Sequence, residues 1–141
     1  MDFARRYRFE LAFAVVLFGV LGVFGGTWAR QVQLRSARGE LLHMVDGLRV
    51  AEIGYHRKHG NYLAVPAHPG APPGEAAPWV APDGLVVDDA LPVVHGRYTI
   101  DLVKGGFRVI GEVDADGDGA PARAVATEDE AAKRESGPDV F

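Results

Sequence analysis

Three aspartates at alternate positions, Asp114, Asp116 and Asp118, stand just before Gly119, and their types and spacing come closest to metal chemistry in this chain. D-x-D-x-D-G is the first half of a calcium loop: hard carboxylate oxygens alternate toward one point, and the glycine permits the turn. An EF-hand would carry a bidentate glutamate at position 125, and this chain has Val125 there, so the loop is not an EF-hand. A partial calcium site, completed by backbone carbonyls and by Glu128 or Asp129, is the expectation; the plain alternative is an acidic, solvated turn between strands. His56 and His59, three apart, make a weaker metal pair with no third ligand in view. Histidines also suit the negative end of a helix dipole, which is the simpler reading. Nucleophilic catalysis has little to draw on. The only serines are Ser36 and Ser136, neither in a nucleophile elbow, and Gly105-Gly106 is too short for a phosphate loop. With no cysteine, disulfides, thiol catalysis and thiolate metal sites are excluded. The expectation is a protein that is not an enzyme.

A fourth carboxylate stands apart. Glu10 lies at the edge of an apolar run, and Leu11 to Ala29 are nineteen residues without a charge. At the helical rise this run spans about 28 Å, close to one hydrocarbon core, and a carboxylate at its edge is costly to place in lipid. Arg5, Arg6 and Arg8 precede the run and Arg30 follows it. Retained positive charge predicts a cytoplasmic N-terminus in the inner membrane, a transmembrane helix over 11–29 and an exported remainder. The run is longer than the apolar part of a usual cleaved signal, although Thr27-Trp28-Ala29 offers small residues at the two positions that cleavage needs.

The rest of the chain must supply a small domain. Its 141 residues allow one membrane segment and one modest core. Residues 1–60 carry nine Lys/Arg against five Asp/Glu, while residues 61–141 carry six against fourteen, so no nucleic-acid surface is expected in the acidic part. After the apolar run, Leu34, Ala37, Leu41, Met44, Val45, Leu48, Ala51 and Tyr55 recur at steps of three and four. That is an amphipathic helix continuing over 30–64, stopped by Gly60-Asn61. Gly47, Ala51 and Gly54 form a small-residue strip that permits close packing.

Residues 65–84 contain six of the nine prolines and read as an irregular connection pinned by Trp79. Leu85-Val86-Val87 reads as a short apolar strand. Arg97–Val103 and Phe107–Val113 alternate around Lys104-Gly105-Gly106 as a hairpin, and Ala122–Thr127 adds a third strand. Glu128–Phe141 begins as a charged face or frayed helix. Three antiparallel strands need a cover, and the helix stripe supplies it. The expected fold is α+β: a long N-terminal helix, membrane-spanning in its first half, packed on a small antiparallel sheet over 65–141.

Glu10-Leu11, the apolar run and Gly19, nine residues after the glutamate, resemble the N-terminal segment of type IV pilins and type II secretion pseudopilins. The likeness continues through Ala51-Glu52-x-x-Tyr55, Gly60-Asn61-Tyr62, the Pro/Gly-rich connection, the three-strand pattern and Asp114–Gly119. The leader differs: pilin precursors carry glycine five residues ahead of the glutamate, where this chain has Arg5, followed by Arg6 in place of phenylalanine. The resemblance implies a pilin-like fold and a structural role as a minor pilin or pseudopilin, with Glu10 as the assembly carboxylate and other pilin-like subunits and inner-membrane machinery as partners. It also implies a place in the bilayer and then in a cell-surface or periplasmic filament. The alternative is a membrane-anchored or secreted extracytoplasmic binding module with a calcium loop.

Overall fold

The computed structural model describes the backbone of residues 3–82 and 84–135; before Leu34 it describes side-chain surroundings only at positions 15–17, 19, 28, 31 and 32. One helix, α1, runs Phe3–His59. The chain forms two compact units, Met1–Gln33 and Leu34–Phe141, so the second half of the helix belongs with the sheet and the boundary falls inside α1. Among the described residues no helix is long and apolar enough to cross a membrane, and most of 11–29, the expected span, lies outside the described side chains.

In the second unit the chain forms β1 (Val65–His68), β2 (Ala77–Pro78), β3 (Val93–Val94), β4 (Arg97–Val103), β5 (Gly106–Val113), β6 (Ala122–Thr127) and β7 (Lys133–Arg134). Five of them make an antiparallel sheet in the order β1-β4-β5-β6-β7, and β2 pairs with β3 as a separate ribbon. The helix packed on this sheet makes the unit α+β. Its stripe is the one that the spacing predicts. Ala37, Leu41, Met44, Val45, Leu48 and Ala51 are buried, and they join Tyr98, Ile100, Phe107, Val109, Val113, Ala122, Ala124 and Ala126 in one core. Period-two burial along β5 sends Phe107, Val109, Gly111 and Val113 toward the helix and Arg108, Ile110 and Glu112 to the far face. That far face is polar, with the cross-strand ion pairs Arg97–Glu112 at 3.1 Å and Arg108–Asp101 at 3.6 Å.

Gly111 fixes how closely α1 approaches. A Cβ there would stand 2.5 Å from Val45 Cγ2 and 2.8 Å from Leu41 Cδ1. Its partner across to β6 is Ala124, so two small residues make the floor under the helix. Gly60 ends α1 as expected, with φ of 79° and its N–H donating to the His56 carbonyl at 2.7 Å.

Several expectations are corrected. The helix ends at His59, so 60–64 are outside it. The Pro-rich connection contains two strands: β1 takes the sheet edge, where Pro66 is tolerated because an edge strand need not donate every N–H, and β2 pairs in the small ribbon. Leu85–Val87 is not a strand. Leu85 plugs the core at 1% exposure and Val87 packs against α1, so the apolar run serves as a loop anchor. Residues 128–135 form a turn and β7 rather than helix, and the last residues, 136–141, lie outside the described part.

Candidate functional site

The acidic loop follows β5 and precedes β6, so the sheet holds both of its ends. Carboxylate oxygens of Asp114, Asp116 and Asp118 all lie within 4.8 Å of one another, the convergence that alternate spacing implies. The loop is also organised without any ion. Asp114 accepts the N–H groups of Gly117 through Oδ1 (2.8 Å) and Gly119 through Oδ2 (3.0 Å), and Asp118 Oδ1 accepts from Ala120 at 2.7 Å. A carboxylate oxygen with one donor keeps a second lone pair, so the three side chains retain capacity for a hard cation. The proposed completing groups are not there. Glu128 and Asp129 follow Thr127 at the opposite end of β6, about 17 Å along the strand from Ala122. Val125, at the EF-hand twelfth position, is a buried strand residue paired with Ile110.

The histidine pair does not converge on a metal. Tyr55 stacks on His59 at 4.3 Å and Tyr62 on His56 at 4.1 Å, which sends the two rings to different neighbours. Among the described residues only the three aspartates group as metal ligands. Trp79 is an anchor, edge-on to His68 and Tyr98. Within the small-residue strip, Gly47 has a defined neighbour: a Cβ there would meet Val87 Cγ1 at 3.1 Å. Of the assembly residues, Gly19 is in α1 with nothing within 4 Å of a built Cβ among the described residues, and the side chain of Glu10 lies outside them.

Two carboxylates on α1 hold the head to the helix, and the sequence spacing does not single them out for this. Glu40 Oε1 accepts the N–H groups of His95 (2.6 Å) and Gly96 (2.8 Å) and the Tyr98 hydroxyl (3.2 Å), while its Oε2 lies 3.0 Å from His95 Nδ1. It thereby binds the turn between β3 and β4. Gly96 lets the Tyr98 hydroxyl come close, since a Cβ there would stand 2.4 Å away. Burial, together with the Glu40 charge and hydrogen bond, pushes the Tyr98 phenol far above its ordinary range.

Glu52 is fully buried further along the helix, about 18 Å from Glu40 at the helical rise. Its Oε1 accepts the N–H of Leu63, tying down the chain as it leaves α1, and its Oε2 has no hydrogen-bond partner. Burial raises the Glu52 carboxyl above its ordinary value; the Leu63 N–H and the nearby His56 oppose that in smaller measure. Arg49 completes the attachment, donating to the carbonyls of Thr127 (2.9 Å) and Glu128 (3.2 Å) at the end of β6.

Comparison with protein-family models, with curated proteins and with solved structures finds no match for this chain.

Proposed function

We propose that this protein is a pilin-like structural subunit, a minor pilin or pseudopilin of a type IV pilus or type II secretion-type filament. Its first helical half sits in the inner membrane and then in the helix core of the filament. The observation that carries this reading is the division of labour along one 57-residue helix. Residues 34–55 give a single stripe to an antiparallel head, whereas 11–29 are uncharged on every face. An all-round apolar helix calls for lipid or other helices as its surroundings. The basic residues before it favour a cytoplasmic N-terminus and an exported head.

In this reading no bond is made or broken. Glu10 is the assembly carboxylate: a buried charge is stable only beside a cation, so it favours one axial register between subunits and disfavours others. Gly19 leaves room for a neighbouring helix to approach. Calcium at Asp114, Asp116 and Asp118 would act as a staple for the loop between β5 and β6 in a chain without disulfides. Added calcium should then raise the melting temperature of the protein, and Asp116→Asn should remove that response.

Glu10→Ala is the deciding variant. Expression beside the unmodified filament system should give a membrane-inserted, folded protein that no longer enters filaments. Normal incorporation of that variant would overturn the assembly mechanism. Intact mass of the native membrane form provides a second arm, because a start at Arg30 would leave a secreted binding domain instead.

A further inference from the structure

An open groove of about 630 Å³ runs along α1 beside the loop after Gly84. Val50 and Val86 line it and are 54% and 74% exposed, an apolar floor left facing solvent. Arg57, Lys58 and Asp88 also line the groove. Among the described residues neither Arg57 nor Lys58 has an ion-pair partner.

The same unit carries a knob with the reverse pattern. At the β4–β5 hairpin tip, Leu102 and Val103 are 52% and 47% exposed, although Leu102 continues the core-facing alternation of Tyr98 and Ile100. Lys104 follows them, exposed in the turn. At the start of β5 the Glu128 carboxylate lies 3.1 Å from where a Cβ of Gly106 would stand, with exposed Asp129 next in the chain. Groove and tip therefore each present exposed valine or leucine side chains beside charges of both signs. Opposite charges can meet if the tip enters with Asp129 toward Lys58 and Lys104 toward Asp88.

We propose that the β4–β5 hairpin tip of one copy of this chain docks into the α1 groove of a second copy. The contact joins two different surfaces of identical chains, so it is head-to-tail and generates a ring or an open series rather than an isologous two-fold dimer. It rests on the filament reading for the reason that copies meet, and it names which surfaces of the heads meet.

The absence of cysteine makes the test clean. Full-length Val86→Cys and Val103→Cys proteins are purified in detergent, mixed and oxidised. Exposed Glu75→Cys serves as the remote control partner. The mixed Val86/Val103 pair should form disulfide-linked dimers about ten-fold faster than either cysteine with the control, from the local concentration that docking creates. Lys58→Glu should remove the advantage, and adding Asp129→Lys on the partner copy should restore it. Equal rates for the docked and control pairs would overturn the proposal. If filaments nonetheless form and need Glu10, the filament reading stands and this contact falls. If the mixed pair links while Glu10→Ala leaves filaments intact, this contact stands and the register mechanism falls.

Discussion

Glu40 and Glu52 sit on the same helix and both reach the head, yet their surroundings differ. Glu40 accepts two backbone N–H groups and a phenol hydroxyl, with an imidazole against its other oxygen. Glu52 accepts one N–H group, and its second oxygen is buried without a partner. At the Glu40 end the hydrogen bonds of the β3–β4 turn depend on the carboxylate. At the Glu52 end burial outweighs its one donor and a nearby histidine, and the carboxyl is held toward its neutral form. Donor count, rather than burial alone, separates a carboxylate that organises a turn from one left with an unpartnered oxygen.

Removing the first should do the most damage. Glu40→Ala leaves the His95 and Gly96 N–H groups and the Tyr98 hydroxyl without their acceptor and should cost about 3 kcal/mol or more. Denaturant unfolding of the full chain in detergent would read it, and a loss under about 1 kcal/mol would show that water replaces the carboxylate. Glu40→Gln keeps one acceptor oxygen and should cost less.

The middle of the interface comes next. Gly111→Ala drives a methyl to 2.5 Å from Val45 Cγ2, and overpacking of this kind costs about 1–3 kcal/mol. Val45→Ala should offset part of that penalty in the double variant, because the two sites share one contact. Strict additivity would mean that α1 lifts from the sheet instead of colliding locally.

The Glu52 end should show a smaller effect with a clear sign. A carboxyl raised on folding binds its proton more tightly in the folded chain than in the unfolded one. Stability therefore falls as pH rises from the ordinary glutamate range through the folded value, and no further gain comes below that range. Glu52→Gln cannot titrate, so the melting temperature of the wild type relative to this variant should fall with rising pH across that window. A pH-independent difference would rule out Glu52 as the titrating group.

Much of the fold was legible because its signals are local. Three-and-four spacing from Leu34 to Tyr55 marks the covering face of α1, and period-two alternation marks β4 and β5, since each side-chain direction follows from backbone geometry alone. Asp114, Asp116 and Asp118 were legible as a converging group for the same reason. The edges were less so. Val65–His68 reads as a Pro-rich linker because only pairing with β4 makes it a strand, and the two residues of β7 carry no pattern of their own.

By itself, then, the sequence determined the long helix, its change from all-round apolar to one-sided, the central hairpin and the acidic turn. These depend on neighbours within a few residues, where φ/ψ preference and periodicity act. Only the tertiary structure decided that Glu40 binds a turn 55 residues away, that Glu52 is buried with one free oxygen, and that Gly111 sets the helix–sheet distance. A buried carboxylate has no periodic signature. Its role follows from which donors the folded chain brings within hydrogen-bond reach, and those donors come from segments that meet only when α1 lies on the sheet.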